Sequence, residues 1–286
     1  MDTLARIDRR AREQRVARET IVRDLMLSRI LSALFASTAK RELALKGGFA
    51  MRAAMGSVRY TKDLDLQTGP ETPKKRVETL LNKAIAQALE LGILTDVVVS
   101  NPKNTDTVQR YKVGGTIVGG GSEVHMTVEI SRRGLPAQED IATIAYAPDP
   151  EFGTRAVFIE SYSPGAIAAG KVDALLNPNR VEPRDLYDLY KLSIEMRIDP
   201  PTHLLKAMGR DFLANGLVEL WPKLETMTWE LARDELLPNL PRREAAAMDE
   251  IEWDNMRMRT EEAIRAWMQL ALDEIDREAE APVPVP

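Results

Sequence analysis

Apolar positions recur every three or four residues in the first part of the chain. Leu27, Ile30, Leu31 and Leu34 carry this repeat, and arginines occupy positions between the apolar ones along the same segment. A period near 3.6 residues is typical of an amphipathic helix that buries one side. The pattern therefore predicts one long helix over residues 8–36.

A change of period further along the chain indicates β-structure. Apolar and polar positions alternate in several short runs, and a two-residue period places successive side chains on opposite faces of a strand. The predicted strands cover residues 59–66, 94–100, 108–118, 123–131 and 155–160. A helical stripe after the first of them predicts a helix over residues 72–91, and Gly119, Gly120 and Gly121 predict a hairpin turn.

From residue 163 onward the pattern is helical almost throughout. Ser163 and Pro164 form a helix start, because proline is favoured in the first turn. The predicted helices cover residues 164–176, 183–196, 201–215, 217–235 and 242–279. The alternating prolines of residues 281–286 predict a frayed end. We therefore predict an α+β protein, with an N-terminal helix and a mixed-sheet core in residues 1–162 and a helical domain in residues 163–286.

The composition limits the kinds of site that the chain can build. It has no cysteine and only two histidines, His125 and His203, which are far apart in sequence. Thiolate sites and local zinc motifs are therefore excluded, and carboxylates must hold any metal. No apolar run approaches the roughly 18 residues of a membrane-spanning helix, and the charged N-terminal segment resembles no secretory signal. We expect a cytoplasmic protein that does not enter a membrane.

The net charge of −5 hides an asymmetry between the two ends of the chain. Residues 1–62 contain 14 Lys and Arg against 6 Asp and Glu, a surplus of 8 positive charges. Residues 234–286 contain 6 against 14, a surplus of 8 negative charges. A basic end suits a polyanion such as nucleic acid. Ordinary solvated helix faces explain the same counts, so both interpretations stay open.

The candidate chemistry starts with two glycines and two aspartates. Gly47 and Gly48 lack Cβ atoms, so their backbone N–H groups can come close to a phosphate. Asp63 and Asp65 lie two residues apart in a predicted strand, which puts both carboxylates on one face. A divalent cation relieves their mutual repulsion and binds phosphate oxygens. A double glycine alone is usually a turn, and an Asp-x-Asp alone a polar strand face, so the hypothesis depends on their combination.

Four sequence motifs occur in an order that is typical of a known family. They are Leu45-Lys46-Gly47-Gly48, Arg59-Tyr60-Thr61-Lys62-Asp63-Leu64-Asp65, Ala168-Ala169-Gly170-Lys171-Val172-Asp173-Ala174-Leu175 and Pro183-Arg184-Asp185-Leu186-Tyr187-Asp188-Leu189-Tyr190. With these motifs the sequence resembles the AbiEii/AbiGii-type nucleotidyltransferase toxins, which include the mycobacterial MenT toxins. The resemblance covers residues 43–192 and implies a nucleotidyltransferase-like mixed sheet, followed by a helical C-terminal half.

The resemblance assigns roles to the residues of the first two motifs. It implies that Asp63 and Asp65 are catalytic and hold Mg²⁺ or Mn²⁺. It also implies that Gly47, Gly48 and Thr61 line the triphosphate of an NTP substrate. The physical arguments from the glycines and the paired carboxylates agree with these roles.

The later motifs contribute a lysine and two aspartates. The resemblance implies that Lys171 is catalytic and binds the nucleotide, because its charge can pair with phosphate oxygens. From the residues alone, Lys171 also fits a side chain that lies along an apolar helix face and reaches solvent with its amino group. Asp185 and Asp188 share a helix face, and either can orient Lys171 or act as base for the attacking hydroxyl. The resemblance favours Asp185 as catalytic and leaves Asp188 a weaker candidate.

Three further residues are weaker candidates for the same site. Lys46 and Arg59 belong to the glycine and aspartate motifs and carry positive charge. Glu129 lies on the second strand of the predicted hairpin, where nucleotidyltransferase folds often place a third carboxylate. A glutamate on a strand more often faces solvent, so Glu129 has two competing explanations.

The resemblance also implies an activity and partners. It indicates the toxin of a toxin–antitoxin pair, which transfers nucleotides from an NTP to the 3′ acceptor end of tRNA and so blocks translation. The implied partners are tRNA, NTP and a cognate antitoxin protein. Two alternatives stay open: a nucleotidyltransferase that modifies a protein or small molecule, and a non-catalytic interaction module on the same fold.

Overall fold

The computed structural model describes residues 2–38 and 41–280, so the predicted frayed end at residues 281–286 lies outside the described residues. The chain divides into two compact units. The first comprises the chain up to Ser163 and returns for Pro238–Ala245. The second comprises Pro164–Leu237 and the chain from Ala246 onward. The assignment of a catalytic domain to residues 1–162 stays a prediction.

The first unit is built around a mixed sheet. Within the described residues, its seven strands are β1 (Ala44–Lys46), β2 (Asp63–Gln67), β3 (Leu94–Asn104), β4 (Val108–Ile117), β5 (Glu123–Ser131), β6 (Ile141–Tyr146) and β7 (Val157–Tyr162). Their order across the sheet is β3-β4-β5-β2-β1-β7-β6. The pairs β2–β5 and β1–β7 are parallel, and the other neighbours are antiparallel. The predicted β4–β5 hairpin is confirmed, and β1 and β6 are strands that the sequence pattern did not indicate.

Helices of the first unit depart from the predictions at two points. They are α1 (Thr3–Gln14), α2 (Arg18–Ser37), α3 (Gly47–Met55) and α4 (Lys74–Leu89). The single N-terminal helix predicted over residues 8–36 is wrong, because Arg15 adopts φ of 51° and ends α1 in the left-handed region. Gly47 and Gly48 begin a helix directly after β1, where the sequence suggested a turn.

The core of the first unit lies on one side of the sheet. Helix α2 packs against β2, β5 and β7, and α4 packs against α2. Apolar residues of α2 and of the strands are fully buried, among them Leu27, Leu31, Leu64 and Val128. Burial of such side chains contributes about 1.5–3 kcal/mol each, so this layer fixes the orientation of β2.

The arginines of α1 have acidic neighbours within the first unit. Arg9 lies 2.7 Å from a carboxylate oxygen of Glu151, and Arg10 pairs with Asp149. The sequence offered a polyanion partner or solvated helix faces as alternatives for these charges. The structure shows that part of the positive charge is neutralised locally, while Arg12 and Arg15 are exposed.

The second unit is helical. In the described chain its helices are α5 (Pro164–Leu176), α6 (Pro183–Tyr190), α7 (Thr202–Ala207), α8 (Arg210–Glu225), α9 (Trp229–Glu235) and α11 (Glu250–Glu280). The short α10 (Arg242–Ala246) lies mainly in the segment that belongs to the first unit. The predicted boundaries over residues 201–235 are wrong, because Gly209 with φ of 92° separates α7 from α8.

Helix α11 forms the centre of the second unit. It packs against α6, α7, α8 and α9, and its Trp253 is fully buried. The indole Nε1 of Trp253 donates a hydrogen bond to the carbonyl oxygen of Met227 at 2.8 Å. The predicted α+β class, with a mixed sheet and surrounding helices, is confirmed. None of the helices in the described part of the chain is long and apolar enough to cross a membrane.

Candidate active site

Strand β2 presents two carboxylates on one face. Asp63 and Asp65 are partly exposed and alternate with Leu64 and Leu66, which are fully buried. Because side chains alternate across a strand, both carboxylates point away from the core. Asp65 pairs in register with Lys46 on β1 and with Glu129 on β5, so these three residues form one row across three strands.

The two glycines bring the start of α3 close to this row. Gly47 has φ of 70°, and a Cβ atom there would lie 2.6 Å from Oδ2 of Asp65. A Cβ atom on Gly48 would lie 2.8 Å from Nη2 of Arg59 and 3.5 Å from Oγ1 of Thr61. A Cβ atom at either position would therefore force the side chain of Asp65 or of Arg59 to move. The first backbone N–H groups of a helix have no partner within the helix, and they favour anions.

Arg59 and Thr61 reach the site from the segment before β2. Arg59 is 4% exposed, and its Nη1 donates a hydrogen bond to the carbonyl oxygen of Tyr60 at 3.3 Å. Thr61 is 8% exposed, and its Oγ1 accepts a hydrogen bond from the backbone N–H of Asp63 at 3.3 Å. The backbone N–H of Tyr60 donates to the carbonyl oxygen of Asn239 at 2.8 Å and holds this segment in place.

Lys46 and Glu129 complete the row with different partners. The Nζ of Lys46 donates a hydrogen bond to Oε1 of Gln67 at 2.9 Å. Burial lowers the pKa of Lys46, although the negative charges of Asp65 and Glu129 oppose this shift. Glu129 forms an ion pair with Arg110 of β4 at 2.6 Å. The suggested third carboxylate is therefore engaged by an arginine, and its role in the site stays a prediction.

The two aspartates of β2 are the candidate ligands for a metal ion. Among the residues that the structure describes, no group of three or more His, Asp and Glu could hold a metal. The site therefore offers a metal ion two protein ligands, the carboxylates of Asp63 and Asp65. Mg²⁺ is usually bound through one or two carboxylates together with waters and substrate phosphates. Two carboxylates on one strand face fit an ion of this kind when an NTP supplies the remaining ligands.

The second unit contains a separate cluster of buried charges. The Nζ of Lys171 on α5 lies 2.7 Å from Oδ1 of Asp185 and 2.6 Å from Oδ2 of Asp188. Both carboxylates belong to α6, and their side chains are 1% and 0% exposed. Nε of Arg180 lies 2.6 Å from the other oxygen of Asp185. Burial raises the pKa of Asp185, but Lys171 and Arg180 outweigh it and hold this pKa below its ordinary value.

This geometry decides between two interpretations of Lys171. The Lys171 side chain is 11% exposed, and its amino group lies between two buried carboxylates. The interpretation that its amino group reaches solvent is therefore wrong. Both aspartates orient Lys171, so the choice between Asp185 and Asp188 as the catalytic carboxylate stays open.

Two arginines near the candidate residues were not found by sequence reasoning. Arg180 precedes α6 and pairs with Asp185, as described above. Arg23 of α2 donates a hydrogen bond from Nε to the carbonyl oxygen of His125 at 2.8 Å and interacts electrostatically with Asp63. Only the position of α2 on the sheet brings Arg23 to Asp63, so no sequence spacing signals this contact.

Comparisons with known proteins identify the family. The family model "Nucleotidyl transferase AbiEii toxin, Type IV TA system" matches residues 29–275. The chain belongs to the AbiEii family. This membership makes it a nucleotidyltransferase of a toxin–antitoxin system, with an NTP as substrate and an antitoxin as partner.

Two solved structures share the fold of this chain. JHP933 from Helicobacter pylori shares 18% identity, with a TM-score of 0.56 over 92% of this chain and 96% of that chain. A candidate nucleotidyltransferase from H. pylori shares 21% identity, with a TM-score of 0.52 over 90% of this chain and 96% of that chain. At these identities the likeness concerns the fold alone. No curated protein sequence matches the chain.

A substitution of Gly47 tests whether the close approach of its backbone to Asp65 is needed for activity in this AbiEii protein. We expect Gly47→Ala to lower nucleotide transfer about 100-fold, because the new Cβ atom would collide with the Asp65 carboxylate and displace it. The measurement is the initial rate of transfer at saturating NTP.

Gly56→Ala is the matched control for this substitution. Gly56 ends the same helix with φ of 69°, and a Cβ atom there would meet nothing within 4 Å. Both variants carry the same backbone strain, on the order of 1 kcal/mol, but only Gly47→Ala disturbs Asp65. Equal rates in the two variants would show that the contact with Asp65 is unimportant.

Proposed function

We propose that this protein transfers nucleotides from an NTP to the 3′ acceptor end of tRNA in a metal-dependent reaction, and so blocks translation in the cytoplasm until its antitoxin neutralises it. The observation that carries this proposal is the placement of Asp63 and Asp65 on one face of β2, with Gly47 directly against Asp65. Family membership supports the transferase activity, and the resemblance to the tRNA-modifying members supports the acceptor.

The residues around Gly48 suit the triphosphate. The N-terminus of α3 offers backbone N–H groups, and the buried Arg59 adds a positive charge beside Gly48. Together these donors favour a polyanion over a neutral ligand. Asp63 and Asp65 would hold a divalent ion, which would neutralise further phosphate charge and polarise the phosphoryl group.

The buried cluster of the second unit has a proposed supporting role. In this proposal the amino group of Lys171 pairs with phosphate oxygens of the NTP. Asp185 and Asp188 hold that amino group in a fixed direction. The lowered pKa of Asp185 makes it a weak base. We therefore assign Asp185 the positioning of Lys171, and we do not assign it proton abstraction.

A labelling experiment tests the proposed acceptor. Purified protein is incubated with total tRNA, Mg²⁺ or Mn²⁺ and each labelled NTP in turn, and we expect label on tRNA with at least one NTP. Periodate oxidation destroys the 3′-terminal diol, so tRNA treated in this way should accept no label. Label on protein, or on oxidised tRNA, would contradict transfer to the 3′ end, and label without added metal would contradict metal dependence.

A further inference from the structure

The β3–β4–β5 part of the sheet has an open face beside Asp63. A cavity of about 560 Å³ lies there, and its lining includes Lys62, Asp63, Lys112, Gly114 and His125. Asp63, Thr127 and Lys112 are successive partners across β2, β5 and β4. The cavity therefore continues directly from Asp63, one of the two candidate metal-binding carboxylates, onto the neighbouring strands.

A histidine ring lies across the floor of this cavity. His125 on β5 is the cross-strand partner of Gly114 on β4. A Cβ atom on Gly114 would lie 2.9 Å from Nδ1 and 3.3 Å from Cε1 of His125, so the imidazole occupies the space above the glycine. The side chain of His125 is 75% exposed, and its Nε2 lies 3.3 Å from a carboxylate oxygen of Glu123. The ring is thus held on the sheet while much of it stays open to a ligand.

Two lysines of the cavity can contact a phosphate backbone. Lys62, directly before β2, and Lys112, in the middle of β4, are exposed and line the cavity. Three lining residues are acidic: Glu123, which lies 3.3 Å from Nε2 of His125, Asp63, which is a proposed metal ligand, and Asp96. Two lysines next to a flat ring supply cationic contacts for phosphates and a stacking surface for a base, and single-strand binding sites combine these two features.

The position of the cavity distinguishes the acceptor from the NTP. Gly47, Gly48 and Arg59, which suit the triphosphate, lie on the β1 side of β2 or at its start. The cavity lies on the opposite, β5 side of the same strand. In an in-line displacement the attacking hydroxyl and the leaving pyrophosphate stand on opposite sides of the phosphorus atom. The acceptor therefore belongs on the β5 side.

We propose that this cavity binds the single-stranded 3′ end of the RNA acceptor, with a base stacked on His125 and backbone phosphates beside Lys62 and Lys112. The proposal rests on the proposed function, because it assigns a surface to that acceptor. The terminal hydroxyl then points towards Asp63. Gly114 serves this surface by leaving room for the His125 ring.

A direct binding measurement tests the surface without catalysis. The probe is a fluorescent single-stranded RNA of about eight nucleotides with a free 3′ hydroxyl, a length within the range of such sites. We expect His125→Ala to weaken its binding about tenfold, and His125→Trp to retain or strengthen it, because tryptophan restores a stacking surface. Gly114→Ala should weaken binding in the same direction as His125→Ala, since its Cβ atom displaces the ring.

The lysines are tested by the dependence of RNA binding on salt. Lys62→Ala combined with Lys112→Ala should reduce the slope of log K against log salt by about 1.4, because each phosphate contact on a single strand contributes about 0.7. Lys83→Ala is the matched control, since Lys83 is exposed on α4 and does not line the cavity. It should leave the slope unchanged.

The affinity of the same variants for NTP shows whether the cavity binds the acceptor or the NTP. We expect the affinity for NTP to be unchanged in His125→Ala and in the double lysine variant. A loss of NTP affinity with unchanged RNA affinity would overturn the proposal and make the cavity part of the NTP site. Unchanged RNA binding in all variants would overturn it as well.

The labelling of tRNA and the binding of the RNA probe together show which of the two proposals fails. If tRNA accepts no label but His125→Ala still weakens binding of the RNA probe, the surface is supported and the acceptor in the proposed function is wrong. If tRNA is labelled at its 3′ end and the variants bind the probe as the unsubstituted protein does, the surface proposal alone is wrong.

Discussion

Asp63→Ala and Asp65→Ala are each expected to reduce nucleotide transfer by about 10³-fold or more, while the protein stays folded. Each substitution removes one of the two carboxylates that fit a divalent ion, and such an ion contributes several kcal/mol to the stabilisation of a phosphoryl-transfer transition state. Both side chains lie on the partly exposed face of β2, so their loss leaves the buried Leu64 and Leu66 in place. Initial rates and the midpoint of thermal unfolding are the two measurements.

Asp106→Ala is the control for loss of a carboxylate. Asp106 is exposed in the connection between β3 and β4, and its contact with Arg132 uses the backbone oxygen, which the substitution keeps. We expect this variant to transfer nucleotides at the normal rate. Near-normal turnover of Asp63→Ala or Asp65→Ala in excess Mg²⁺ would rule out the two-carboxylate site.

Lys171→Met is expected to destabilise the protein by about 3–5 kcal/mol, in addition to any effect on nucleotide use. Methionine keeps the apolar stem but removes the charge between Asp185 and Asp188, and it leaves two buried carboxylates close together. Denaturant unfolding measures the loss of stability. Nucleotide affinity is then compared at a temperature where circular dichroism shows the variant to be folded.

Two further variants test whether the loss of stability in Lys171→Met comes from the unpaired buried carboxylates. Adding Asp188→Asn to Lys171→Met removes one uncompensated negative charge, so we expect the double variant to regain part of the lost stability. Lys206→Met also removes a lysine that pairs with two carboxylates, Glu274 and Glu278. Those carboxylates are 36% and 66% exposed, so this variant should lose much less stability. Equal stability of Lys171→Met and the unsubstituted protein would show that the buried cluster does not support the fold.

The candidate site was predictable where it depends on local backbone pattern. Asp63 and Asp65 share a face as soon as their segment forms a strand, because side chains alternate along a strand. The apolar Leu64 and Leu66 between and after them are fully buried and hold the strand in that orientation. Lys171 was assigned correctly to a helix, but its ion pairs were not predictable. Those pairs depend on how α5 packs against α6, and a helical pattern contains no information about its neighbour.

Breaks between helices were the least predictable part of the fold. Arg15 ends α1 with a left-handed φ, although arginine gives no sequence signal for such a conformation. Glycine can end a helix with positive φ, but Gly209 is followed at once by further helical residues, so its break was also missed. In both places the apolar period continues across the break, and a single helix explains the sequence equally well.

The sequence by itself determined the α+β class, the strand that carries the paired aspartates and the order of motifs that marks the family. These features follow from periodicity and from residue type, which are local properties. The tertiary structure alone decided which strands are neighbours, and so it placed His125 over Gly114, Arg110 on Glu129 and Arg23 near Asp63. Pairing between strands depends on contacts across many residues of chain, and no local pattern specifies such a partner.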